Sequence, residues 1–302
     1  MAPFWIGSLL NILICIAMAT LELKRAKSFS SIFTVSIAIA GLGSTLMAQT
    51  PFLNEGLSFQ SSPEWLLSLR SFTTSKYGKY LENLFHPMMD VLIIFDLMVI
   101  YVLICCPDKK ESWLCKKAIC GYLALALSLS AMVASLATKN YADLRTVQEG
   151  SSTIFPTGKY AWIAELIVRS AISWATSGFY LALTLRIRRS LKNSIQFLQE
   201  LHSPAAQYSM AAYARIITFS TIVCSLLLFY HFVVEVLKNL ATLHVQLVTH
   251  FPLSMPNFVF SWRLLEASNL TRHFSNLLLC IKPMAVGLTY IWAKYPRQRP
   301  PS

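Results

Sequence analysis

Seven apolar runs, each roughly long enough to cross a bilayer, divide the 302-residue chain. A spanning helix needs about 20 predominantly apolar residues, because about 1.5 Å of rise per residue must cover a hydrocarbon core about 30 Å thick. The helix also satisfies its own backbone polar groups, which hydrocarbon cannot do. The runs fall at about 4–22, 30–49, 82–106, 117–138, 160–185, 212–237 and 270–292. They predict an all-α fold: one seven-transmembrane helix bundle over residues 1–302, a multi-pass integral membrane protein. Composition points the same way, since 55% hydrophobic and 13% charged residues leave too few polar groups to solvate a soluble surface.

Basic loops are retained in the cytoplasm, so the positions of Lys and Arg set the orientation. One set of short loops carries Lys24, Arg25 and Lys27, then Lys109, Lys110, Lys116 and Lys117, then Arg186, Arg188, Arg189 and Lys192, and finally Lys294, Arg297 and Arg299. The opposite loops are longer, and their basic residues are diluted by Glu55, Glu64, Asp143, Glu149 and Glu266. The expectation is an N-terminus outside and a C-terminus inside. Ala17-Met18-Ala19 imitates a signal cleavage site, but no charge precedes the first run and three basic residues follow it closely. A retained first helix is expected.

A net charge of +12 raises nucleic acid as a partner. The basic residues are instead spread over four inner segments as topology determinants, with no aromatic-interleaved patch, and the bilayer with its anionic headgroups is the expected partner. Beyond the fifth run, Arg186, Arg188, Arg189 and Lys192 alternate with Ile187, Leu191 and Ile195, which reads as a basic amphipathic continuation of the fifth helix, at the lipid surface or against a cytosolic partner. Cys105, Cys106 and Cys115 lack a recognisable ligand spacing with any His or fourth Cys, so no metal is expected and a palmitoylated or structural role is preferred. His86, His231 and His273 form no spaced metal motif either, and no nucleophile–base constellation stands out. These readings predict neither an enzyme nor a cofactor.

Ionisable side chains at the centre of a span cost about 2.5–3.5 kcal/mol on insertion scales, so they face the bundle interior and find partners. Asp90, Asp96 and Lys282 are the deep ones. Lys282 is expected against Asp90, with Asp96 or backbone carbonyls as the alternatives. Nearer the outer surface, Glu82, Glu165, Arg169 and Glu235 form a candidate ligand mouth. Glu165 and Arg169, four residues apart, share a helix face and can neutralise each other.

Three stretches resemble rhodopsin-like G-protein-coupled receptors, most closely the divergent invertebrate FMRFamide-type peptide receptors. Tyr101-Val102-Leu103-Ile104-Cys105-Cys106-Pro107 reproduces the spacing from the tyrosine of the acidic-Arg-Tyr triplet to a proline. Leu9-Leu10-Asn11-Ile12-Leu13 looks like the Asn-containing first helix, and Ser275-Asn276-Leu277-Leu278 to Tyr290 looks like the seventh. Together they span nearly the whole chain. The departures concern activation: Val99-Ile100-Tyr101 keeps only the tyrosine of the triplet, the acidic residue of the second helix falls at Gly41, and the Asn-Pro of the seventh falls at Val286-Gly287.

The resemblance implies a plasma-membrane receptor for an extracellular ligand, with an amidated (neuro)peptide as the candidate class. Heterotrimeric G protein or arrestin would be the cytosolic partner, with coupling weakened by the lost triplet arginine. It also implies that Lys282 stands beside the volume in which the family holds sodium, with Asp90 at its border. A membrane transporter or channel is the alternative function, although matching inverted halves with broken helices are not apparent.

Overall fold

The computed structural model describes residues 2–25, 29–56, 75–148, 157–200, 204–237 and 281–293, with isolated positions 68, 71–72, 270 and 278. Every regular element among the described residues is helical. In chain order they are α1 (Ala2–Arg25), α2 (Phe29–Gly56), α3 (Lys76–Cys105), the short α4 (Lys110–Trp113), α5 (Lys116–Gln148), α6 (Thr157–Glu200), α7 (Pro204–Leu228) and α8 (residues 281–293). A 3-10 turn, Pro107–Lys109, leads into α4, and a π-helical segment, Phe229–Glu235, continues α7.

Among the described residues, three stretches are long and apolar enough to cross a membrane: Tyr80–Cys105, Lys116–Thr138 and Met210–Val234. Leu9–Leu23 and Ser31–Met47 are shorter apolar helical stretches. The expected run at about 160–185 lies within the 44-residue α6. Of the last expected run, residues 271–277 and 279–280 lie outside the described residues, as do residues 238–269.

Helix α3 is the axis of the bundle, packed against α2, α5 and α6. Its sequence explains why: Met89 to Val99 is buried without a break, apolar all round but for Asp90 and Asp96, and so needs neighbours on every side. Ser75 caps its start by accepting the Gly78 N–H at 3.2 Å. At the other end Cys106 leaves the helical region (φ −139°, ψ 56°) because Pro107 follows it, and proline disfavours a helical predecessor. Pro87 sits inside α3, where its missing N–H frees a carbonyl one turn earlier.

Between helices in an apolar medium, close approach comes from small residues rather than hydrophobic drive. Gly43 illustrates it: a Cβ built there would lie 2.6 Å from the Phe85 ring, so α2 and α3 meet in contact that only glycine permits. The outward faces are apolar instead of charged, with Leu13 and Ile16 on α1, Ile39 and Leu46 on α2, Leu125 and Met132 on α5, and Trp174 and Phe179 on α6 all exposed.

The basic stretch after Leu185 continues the helix as expected, with α6 running on to Glu200. Its apolar side is not free for lipid, however, because Ile187 and Leu191 are buried in the main core. The apolar stripe is already occupied by the bundle, so Arg188, Arg189 and Lys192 project on the opposite, exposed face.

Candidate functional site

Asp90 stands midway along α3 and Lys282 near the start of α8. Lys282 Nζ lies 2.5 Å from Asp90 Oδ1, with the lysine side chain only 2% exposed. Two opposite charges so removed from water repay part of their desolvation only in direct contact. The contact is a direct ion pair. The ammonium also lies 5.6 Å from the centroid of the Tyr230 ring, a cation–π distance.

The second carboxylate oxygen is held by the π segment. His231 Nε2 lies 3.0 Å from Asp90 Oδ2, and its Nδ1 lies 2.5 Å from Ser177 Oγ on α6. A carboxylate only accepts, so Nε2 carries a hydrogen toward Oδ2; on a neutral imidazole Nδ1 then accepts the Ser177 O–H. The π geometry matters because an extra residue in a turn re-aims the side chains that follow it, and such segments concentrate at functional sites.

Serine, histidine and aspartate in series also occur in acyl-transfer enzymes. Here Ser177 is 1% exposed, it is absent from the wall of the adjoining cavity, and the aspartate charge is already offset by Lys282. The arrangement ties α3, α6, the π segment and α8 together; it does not present a nucleophile.

A cavity of about 20 Å³ opens beside the pair, lined by His86, Pro87, Asp90, Arg169, Ile172, Ser173, Thr176, His231 and Lys282. That is room for one water-sized occupant, since about 10–15 Å³ is the minimum for a water. It does not hold a peptide side chain in this conformation.

Six residues further along α3, Asp96 is fully buried, and the Tyr290 phenol of α8 hydrogen-bonds to it. Tyr180 of α6 and Glu22 of α1 lie close enough to act on the same cluster. Tyr290 packs edge-on against Phe219 of α7, 5.1 Å between centroids at 90°. At the end of α3, Val99 is buried and Ile100 packs on the same core. Tyr101 turns to the rim, where its hydroxyl accepts from Arg186 at 3.5 Å and from Cys106 Sγ at 3.7 Å.

Of the residues expected at the outer mouth, Glu82 is partly buried on the early turns of α3. The Arg169 guanidinium donates to Asn83 Oδ1 at 3.0 Å, which ties it to α3. The side chains of Glu165 and Glu235 lie outside the described residues. From the sequence, His231 was weighed only as a metal ligand, and neither Ser177 nor Glu22 was singled out. His231 carried a signal: it lies in the apolar run Phe229-Tyr230-His231-Phe232-Val233, where a titratable group is as conspicuous as Asp90. Ser177 carried none.

No family model matches the chain, and no curated protein matches it.

Proposed function

We propose that the chain is a divergent rhodopsin-like receptor: a seven-span bundle in the plasma membrane, N-terminus outside, with an extracellular peptide as ligand. The observation that carries this reading is the Asp90–Lys282 contact at 2.5 Å, which clasps α8 to the axial helix α3. A receptor needs an element with two arrangements whose balance a ligand can bias. A buried ion pair between two helices, next to a polar cavity, is such an element. Removing either partner exposes the other to a desolvation penalty of several kcal/mol, so the pair is a discrete latch rather than a gradual contact. The exposed apolar faces of α1, α2, α5 and α6 favour a lipid surround for the bundle.

The inner end of α3 carries a second tie. Where the family places an arginine on this helix, the chain has Ile100, and Arg186 reaches Tyr101 from α6 instead. Coupling to G protein would therefore run through a different contact or be lost. The test is a panel of amidated and unmodified peptides applied to cells expressing the full chain, with binding, G-protein and arrestin readouts in parallel. Saturable binding with either signal supports a signalling receptor; binding with neither supports a decoy. Absence of binding, together with solute flux in proteoliposomes, would replace the receptor reading with the transporter or channel.

A further inference from the structure

We infer that the exposed face of α6 from Leu181 to Lys192 binds one membrane lipid whose headgroup carries several phosphates, with its acyl chains on Leu181 and Leu185 and its phosphates on Arg188, Arg189 and Lys192. Residues three or four apart stand on one side of a helix. On α6 that side runs through Trp174, Leu181 and Leu185 and then through Arg188, Arg189 and Lys192, all of them exposed. It turns from apolar to basic within one helical turn. Ile187 and Leu191, buried in the core on the other side, fix the helix in that rotation. The change falls where the apolar span ends. The stretch Tyr80–Cys105 stops at Cys105, whose side chain hydrogen-bonds to Ser190 of α6, while Tyr101 one turn earlier meets Arg186. The two helices thus run side by side in one direction. At about 1.5 Å of rise per residue, the three basic side chains leave α6 within about 3 Å of the Cys105 level, where headgroups lie, and Leu181 and Leu185 stand alongside the acyl chains.

Charge selects the headgroup. No acidic residue occurs in residues 166–199, and Arg188, Arg189 and Lys192 form no ion pair among the described residues. Like charges at this spacing repel one another. Lys109, Lys110, Lys116 and Lys117, at the ends of the neighbouring spans, add to the field against Asp108 and Glu111. A single phosphate would answer one of these side chains. Two guanidinium forks and an ammonium in a row suit a headgroup with several, and basic clusters directly beside a span recognise such lipids. A soluble acidic segment would match the charges but leave Leu181 and Leu185 uncovered. The site does not rest on the receptor reading and would serve a transporter equally.

The test uses the purified full chain in nanodiscs of phosphatidylcholine containing either a phosphatidylinositol bisphosphate or phosphatidylserine, at matched total lipid charge. After extraction into neutral detergent, native mass spectrometry reads the lipid retained. One bisphosphate lipid is expected on the chain, with about tenfold less phosphatidylserine. Arg189→Gln combined with Lys192→Gln is expected to lower retention about tenfold or more. Lys116→Gln with Lys117→Gln removes the same charge from α5 and should leave most of it. A further variant, Leu185→Glu, sets a carboxylate one turn from Arg189 and should weaken retention as well. Equal retention of the two lipids, or equal losses in the α5 and α6 double variants, would mean a diffuse attraction and overturn the inference. Retention that survives both α6 variants would place the lipid elsewhere and overturn it equally. Displacement of the lipid by a soluble glutamate-rich peptide would assign the face to an acidic protein partner instead.

Discussion

Lys282 on α8 touches Asp90 on α3 at 2.5 Å while His231 holds the other carboxylate oxygen at 3.0 Å. One aspartate thereby receives an ammonium from one helix and an imidazole from another. The chain commits its central carboxylate to holding helices together, and the consequences can be measured residue by residue.

Ser177→Ala removes the hydroxyl that bonds His231 Nδ1. The imidazole is then left with a buried nitrogen lacking its partner, at a cost of about 1–3 kcal/mol. A fall in unfolding temperature is expected for the purified chain, while Ser173→Ala, at the cavity wall, should cost less. Equal effects would mean that the Ser177 bond contributes nothing special.

Gly43→Ala forces a Cβ to 2.6 Å from the Phe85 ring. Overpacking of this kind costs about 1–3 kcal/mol, and the α2–α3 crossing should loosen. Phe85→Leu added to Gly43→Ala is expected to recover part of the loss, which a thermal unfolding series reads directly. No recovery would mean that the clash with Phe85 is not the source of the loss, since alanine favours a helix over glycine.

Tyr290→Phe and Tyr101→Phe delete one hydroxyl each in different settings. Tyr290 is buried and serves Asp96, so its loss withdraws a donor from a buried carboxylate and should cost about 1–3 kcal/mol. The Arg186 bond to Tyr101 is exposed and 3.5 Å long, at the edge of useful geometry, and its loss should cost less than about 0.5 kcal/mol. Denaturation midpoints of the two variants in one detergent check the ranking.

Three of the expected spans, over Tyr80–Cys105, Lys116–Thr138 and Met210–Val234, were legible because apolar length is a direct demand of the bilayer. Among the deep charges, the cost of burial narrowed the partners of Lys282 to a few, Asp90 among them. The rest depended on facts with no local signature. Ser177 is an ordinary small polar residue until a histidine on another element faces it. The π segment at Phe229–Glu235 shifts the register of α7, and the 3.6-residue period by which faces are read cannot anticipate that shift. Ile187 and Leu191 were assigned to lipid because the pattern of basic and apolar residues describes an amphipathic helix without saying what covers its apolar face. Among the residues expected at the outer mouth, Arg169 bonds Asn83, a neutral partner that charge counting does not consider.

The most direct measurement is a double-mutant cycle on the clasp, using Asp90→Asn, Lys282→Met and the pair combined, with unfolding free energy or temperature as the readout. Each single substitution leaves one buried charge uncompensated and is expected to cost about 3–5 kcal/mol, whereas the double variant removes both charges and should recover most of that loss. Additive losses, with the double variant as damaged as the sum of the singles, would contradict the claim that Asp90 and Lys282 are bound to each other at the centre of the bundle.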